Sequence, residues 1–287
     1  MSSSSSALPA TIPAPTMNGT GVRSVWDHNF KAVSDIVRSV ARRARHVALT
    51  VALTVQYPGC PFVVQNAGER KPYEKLTAEE RYQEVRANVD ALRPIQVGLA
   101  IRAGDGDGEP LVFEFNLRGF DINNPADLRD PKSIQYLEAR GVEFSRLPRD
   151  GIESCRLRWL LWDSGLIRAR PSWATFAGGY HVAYAVVILT GSKLPDSLDG
   201  FTKRVASVFG RGVYDVKKIS REHHPGHTGA LTKLAERLGI VPAEQVHGVV
   251  AGAGAALTLR VFETLKETVE ASCLQRQSLQ LCGLYFR

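Results

Sequence analysis

From Trp26 through Phe30, Val33, Val37 and Val40 to Ala44, apolar residues recur at spacings of four and three. That period places them on one face and predicts a helix over about Ser24–Ala44. A β-branched and apolar run follows at Val47–Val55, V-A-L-T-V-A-L-T-V, which predicts a strand. Its tandem repeat leaves the register ambiguous by four residues. Ile95–Ile101 and Leu111–Leu117 predict two more strands, joined by the acidic, Gly-rich connection Ala103–Pro110. Shorter strands fit Trp173–Phe176, Val213–Val216, Gln245–Ala251 and Gly283–Phe286. Helices fit Ala78–Asp90, Pro131–Ala139, Gly151–Ser164, Gly178–Leu189, Leu198–Val208, Ala230–Leu238 and Ala253–Glu270. Strands arranged as an early meander and then alternating with helices predict one mixed-sheet α/β domain.

Composition narrows the class. The 287 residues are 44% hydrophobic and 23% charged, which excludes collagen, coiled coil and disorder throughout. Residues 1–22 carry no charged side chain and no apolar run, so they read as a disordered Ser/Pro-rich tail ahead of a domain at 23–287. The tail lacks the basic and apolar regions of a secretory signal, and its first Arg comes only at Arg23, which argues against a transit peptide. No stretch reaches 18 apolar residues, so no membrane span is expected. Cys60, Cys155, Cys273 and Cys282 form no CxxC, which speaks against a zinc ribbon or disulfide scaffold and for a reducing compartment. The formal charge of +7 admits a polyanion partner. Arg38, Arg42, Arg43 and Arg45 cluster at the end of the first helix. Solvation and the helix dipole account for them; RNA contact is the sharper reading.

Several segments carry a family resemblance. Val25-Trp26-Asp27-His28-Asn29-Phe30, Leu53-Thr54-Val55-Gln56-Tyr57-Pro58-Gly59, the stretch from Tyr82 to Gly98, and Phe113-Glu114-Phe115-Asn116-Leu117-Arg118-Gly119-Phe120 resemble successive motifs of the Caf1/Pop2 family. So do Ser133–Phe144, Trp173–Tyr184, Val213–Lys217 and Leu231–Ala235, in the same order, over nearly the whole chain. The family is that of the DEDD-type poly(A) ribonuclease subunit of the CCR4–NOT complex. The resemblance implies an RNase H-like fold, with a mixed β-sheet flanked by α-helices. It also implies a NOT1-like scaffold and a CCR4-like nuclease as partners, in cytoplasm and nucleus.

Family chemistry uses two Mg²⁺ ions held by carboxylates, and hard cations need charged oxygen ligands. By that resemblance the acids fall at Thr54, Gln56, His181 and Gly254, and the base at Val249. The other register of the repeat puts Thr50 in place of Thr54, still neutral. No Asp or Glu occurs between Asp35 and Glu69, between Asp163 and Asp196, or between Glu244 and Glu263, so no modest shift of alignment restores an acid. A pseudonuclease acting as a scaffold or adaptor, with no cofactor, is the expectation. A metal-independent RNA-binding module is the first alternative. A working 3′–5′ poly(A) exonuclease is the second, and needs Glu69, Asp196 or Glu263 to reach the cleft. Restoring four acids on paper would lower the charge from +7 to +3, so the charge points first to a disabled site.

Other signals have plain readings. Asp121 and Asp215 fit turn formation or capping, and His223, His224 and His227 a solvated loop. Cys60 reads as structural, and Trp159 with Trp162 as core packing, with a partner-docking face as the alternative. Val249–Leu257 imitates a dinucleotide loop but lacks a following βαβ unit; its small residues suit close helix packing instead.

Overall fold

In the computed structural model, residues 21–55, 75–104, 108–223, 226, 229–241 and 250–285 are described. Six strands form one sheet: β1 (Val22–Val25), β2 (Ala44–Leu53), β3 (Pro94–Ala103), β4 (Leu111–Asn116), β5 (Ser172–Thr175) and β6 (Val213–Asp215). Their order is β1-β4-β3-β2-β5-β6. The central β4-β3-β2 meander is antiparallel, while β1 pairs with β4, and β5 with β2 and β6, in parallel.

The helices are α1 (Phe30–Ala41), α2 (Ala78–Ala91), α3 (Pro131–Ala139), α4 (Leu147–Asp150), α5 (Ser154–Asp163), α6 (Gly179–Thr190), α7 (Leu198–Phe209), α8 (Val216–His223), α9 (Leu231–Arg237), α10 (Ala251–Thr268) and α11 (Ala271–Arg276). Local chemistry sets several starts. Thr77 and Glu80 form a reciprocal capping box at α2, and Asp130 with Pro131 at the first helical position opens α3 where expected.

The repeat in β2 sorts its side chains. Val47, Leu49, Val51 and Leu53 join the larger core with Val97, Leu99, Ile101, Phe113 and Phe115, under α1, α2, α5, α6 and α7. Ala48 and Ala100 lie on the opposite face, in a second core beneath α10. Burial of the bulky face is the main driving force for the fold, at roughly 25 cal/mol per Å² of apolar surface removed from water.

Three expectations are corrected, and a fourth lies mostly outside the described residues. Val22–Val25 is a strand, not tail or helix: Val22 and Val25 are buried against β4, and Asn29 Oδ1 takes the Trp26 amide at 2.9 Å, delaying the helix to Phe30. Gly283–Tyr285 is a turn onto the Leu281 carbonyl, with Gly283 at φ 93°, rather than a strand. Trp159 is 69% exposed, not core, whereas Trp162 is partly buried and donates Nε1 to the Leu189 carbonyl at 3.0 Å. The expected strand at Gln245–Ala251 falls mainly outside the described residues, and Ala251 itself already belongs to α10.

Candidate functional site

The small-residue start of α10 crosses the meander in backbone contact. A Cβ on Gly98 of β3 would lie 2.0 Å from the Ala251 carbonyl oxygen, so only glycine fits there. A Cβ on Gly254 would lie 3.2 Å from Thr50 Cγ2. Gly254 therefore faces Thr50, the first copy of the repeat, which pairs with Gly98. Thr54 is elsewhere: fully buried at the strand end, it donates Oγ1 to the Leu128 carbonyl at 3.0 Å, and its own carbonyl accepts the Asp130 amide. The assignment of Thr54 to this cleft is thus corrected to Thr50, because the first copy is the one that lies under α10. Two residues on, the strand carries Ala52.

His181, in the first turn of α6, reaches the same place from the sheet edge. The β2–β5 ladder ends at Ala48 and Ala174, and the Val51 amide beyond it donates to His181 Nδ1 at 3.1 Å. Burial holds the imidazole pKa down to about 4, and the amide donated to Nδ1 occupies the lone pair that a second proton would need. The ring is neutral at physiological pH, with its proton on Nε2. Thr50, His181 and Gly254 thus converge at the C-terminal end of β2. Gln56 and Val249 lie outside the described residues, as do Cys60, His224 and His227.

This trio does not suit Mg²⁺. It offers one hydroxyl, one imidazole whose unprotonated nitrogen is already engaged, and one position without a side chain; none carries negative charge. Among the described residues no three His, Cys, Asp or Glu side chains gather as a metal site. Asp196 is ion-paired with Arg86, and Glu263 is tied to Arg102 at 2.9 Å and His46 at 3.1 Å near the other end of β2. Neither acid is available to the cleft; Glu69 is outside the described residues.

Two buried carboxylates brace the surroundings. Glu114, fully buried, accepts the Val250 and Gly252 amides at 2.7 and 2.9 Å and Gln96 Nε2 at 3.1 Å, capping the start of α10. Burial pushes its pKa up to about 7, opposed by the amides. Gln96 passes the network on to Asn116, and Asn116 to Ser24. Asp215 is also fully buried and accepts the amides of Ala177, Gly178, Lys217 and Cys282. Burial raises its pKa against those four bonds. It fastens the turn that carries His181 to the C-terminal segment, and Gly179 donates its amide to the Cys282 carbonyl at 3.0 Å. Sequence reasoning placed Asp215 as a capping residue but missed Glu114, whose only signal was an acid at an inward-facing strand position. Asp121 closes a turn by accepting the Asn123 amide, and His223 accepts or donates at Gln277.

The arginine cluster separates. Arg38 is paired with Asp35 and Asp163, at 3.2 and 3.1 Å. Arg42 and Arg43 are exposed at the turn into β2, and Arg45 is exposed at its second residue. Among the described residues, no helix is long and apolar enough to cross a membrane.

Comparison with known proteins locates this geometry. A family model described as CAF1 family ribonuclease matches residues 25–158. Probable CCR4-associated factor 1 homolog 7 of Arabidopsis thaliana is 30% identical over 271 residues, covering 92% of this chain and 93% of the relative. Poly(A) ribonuclease pop2 of Schizosaccharomyces pombe is 31% identical over 267 residues, covering 92% and 75%. Among solved structures, S. pombe Pop2p in its Mg²⁺- and Mn²⁺-bound form superimposes with a TM-score of 0.75 at 29% identity, over 92% of this chain and all of that one. A chain in the structure of the yeast NOT1 MIF4G domain co-crystallised with CAF1 matches with a TM-score of 0.70 at 22% identity, over 94% and 99%. The fold is RNase H-like, shared with these ribonuclease domains.

Proposed function

The chain belongs to the CAF1 ribonuclease family, and on that premise we propose that it is a pseudonuclease, a non-catalytic scaffold or adaptor in CCR4–NOT-linked mRNA deadenylation and decay. The observation that carries this reading is the convergence of Thr50, His181 and Gly254 where the family resemblance calls for metal-binding acids. Two-metal hydrolysis needs several carboxylates to offset two divalent charges, and neutral groups cannot replace them. The retained fold supports retained partners, a NOT1-like scaffold and a CCR4-like nuclease, in cytoplasm and nucleus, since an entire domain is kept while its cleft chemistry is lost.

The alternative of an active exonuclease draws no support from Asp196 or Glu263, both engaged in ion pairs away from the cleft. Purified protein is incubated with 5′-labelled poly(A) and Mg²⁺ or Mn²⁺, and in parallel mixed with a NOT1-type MIF4G domain for size-exclusion chromatography. The expected result is intact poly(A) with a co-eluting complex. Metal-dependent shortening that survives extensive purification would overturn the pseudonuclease reading; absence of any complex would overturn the scaffold role.

A further inference from the structure

The opposite end of the sheet carries a continuous arginine rim. Strands β2, β5 and β6 are parallel, so they begin together, with His46 beside Ser172 and Trp173 beside Val213. The segments feeding those starts supply Arg42 and Arg43, Arg168 and Arg170, and Arg211. They also pack on one another. The Arg42 stem runs over Gly165, whose Cβ position lies 3.4 Å from Arg42 Cγ, and the Gly165 carbonyl closes the turn that presents Arg168. Arg170, held at φ 53°, lays Cδ against Gly210 and gives Nη1 to the Ser207 and Val208 carbonyls at the end of α7. Arg211 follows at once, and its carbonyl accepts Ser278 Oγ, bringing up exposed Arg276.

All six arginines are exposed. No Asp or Glu occurs at 36–68, 164–195 or 200–214, the stretches that carry five of the six; the acids at this end are Glu263, tied to His46 and Arg102, and Glu270 before Arg276. Among ion pairs of the described residues, none engages Arg42, Arg43, Arg168 or Arg211, whereas neighbouring Arg38 is neutralised by Asp35 and Asp163. On the helix that leads into the Arg168 turn, Trp159 is 69% exposed and lies one helical turn before Asp163, the carboxylate paired with Arg38. The rim is separated from Thr50 by the six residues from Ala44, where β2 begins, roughly 20 Å at about 3.3 Å per residue.

We infer that this rim binds the phosphodiester backbone of single-stranded RNA without a metal ion, with a base stacking on Trp159. Guanidinium forks match phosphate oxygens in paired hydrogen bonds. A row rather than a pocket suits a chain of phosphates, and an exposed indole on the helix leading into the row offers the stacking surface that single strands use. The site is distinct from the cleft and stands whether or not the cleft is inert.

The test is fluorescence anisotropy with a labelled mixed-sequence RNA of about 20 nucleotides in EDTA, at rising KCl. Binding is expected at low salt, with a log–log salt slope of about −3, the value for roughly four neutralised phosphates on a single strand. Arg42→Glu/Arg168→Glu/Arg211→Glu should weaken it at least about tenfold, while Lys31→Glu/Lys132→Glu/Lys233→Glu, an equal charge change elsewhere, should leave it within about threefold. Trp159→Ala should cost about tenfold without altering the slope. Arg→Gln versions of the first triple give the same reading if charge reversal prevents folding. No binding at about 50 mM KCl, dependence on divalent ions, equal losses in both triples, or displacement by polyglutamate as effective as by unlabelled RNA would each overturn the proposal.

Discussion

His181 accepts the Val51 backbone amide on Nδ1 at 3.1 Å, one residue beyond Thr50 and past the point where β5 leaves β2. The imidazole completes the hydrogen bonding of a strand edge, a structural task that a metal-bound carboxylate could not perform with the same atoms. His181→Ala should therefore lower stability by about 1–3 kcal/mol, the cost of a buried amide left unsatisfied. Urea unfolding at pH 7.5 measures it. A loss no larger than that of an exposed histidine such as His28 would show that the bond contributes nothing.

Glu114 and His181 should pull the pH dependence of stability in opposite directions. The folded pKa of His181 is depressed to about 4, so its contribution is present above the ordinary histidine value and is lost as pH falls from 6.5 toward 4. The folded pKa of Glu114 is raised to about 7, so its contribution is present below pH 4.5 and is lost as pH rises toward 7. Each swing is at most about 3 kcal/mol by linkage, and together they nearly cancel. Glu114→Gln should unmask the histidine slope, stability rising with pH between 4 and 6.5, at a cost of about 1–2 kcal/mol because its amide meets Gln96 Nε2 donor to donor. His181→Asn should unmask the opposite slope. Denaturation midpoints from pH 4 to 8 decide this; parallel profiles for wild type and both variants would refute it.

Two glycines under α10 should respond differently to alanine. Gly98→Ala places a methyl 2.0 Å from the Ala251 carbonyl oxygen, in backbone that has no room to move aside. A loss of about 3 kcal/mol or more is expected, at the upper end of overpacking effects. At Gly254 the nearest atom is a Thr50 methyl at 3.2 Å, and alanine gains about 1 kcal/mol of helix propensity, so Gly254→Ala should be close to neutral. Thermal melts of the two variants, side by side, check the ranking.

Acids put back into the cleft should bring back metal dependence. In Thr50→Asp/Ala52→Glu/His181→Asp/Gly254→Asp, four clustered carboxylates repel, and the melting temperature in EDTA should fall by several degrees. Mn²⁺ should recover part of that loss in the variant and leave the wild-type melt unchanged. A Mn²⁺-induced rise in the wild type would contradict the neutral cleft.

The sequence was informative where one physical term dominated. Periodicity located β2, β3, β4 and the long helices because burial of the bulky face decides them, and Asp130-Pro131 marked α3 by its own capping chemistry. It failed at Val22–Val25, where a partner strand distant in sequence overrides a helical spacing. It failed at Trp159 because residue type says little about which side of a short helix meets the core. The acid-free intervals were legible from composition alone, and Thr50, His181 and Gly254 each lie in one of them. The residue at the centre of the cleft was not: choosing between Thr50 and Thr54 depends on where α10 lands, and that is a tertiary fact.

The V-A-L-T repeat of β2 has a consequence for how such a strand can change. Four is an even number, so gaining or losing one copy turns no side chain to the wrong face and leaves the hydrophobic layer intact. Everything downstream nevertheless slides by about 13 Å along the sheet, at roughly 3.3 Å per residue. A four-residue duplication is therefore nearly silent for folding and ruinous for any chemistry that must meet α10. Gln56, which follows the second copy in sequence, stands four residues past the corresponding place after the first, where the strand offers only Ala52.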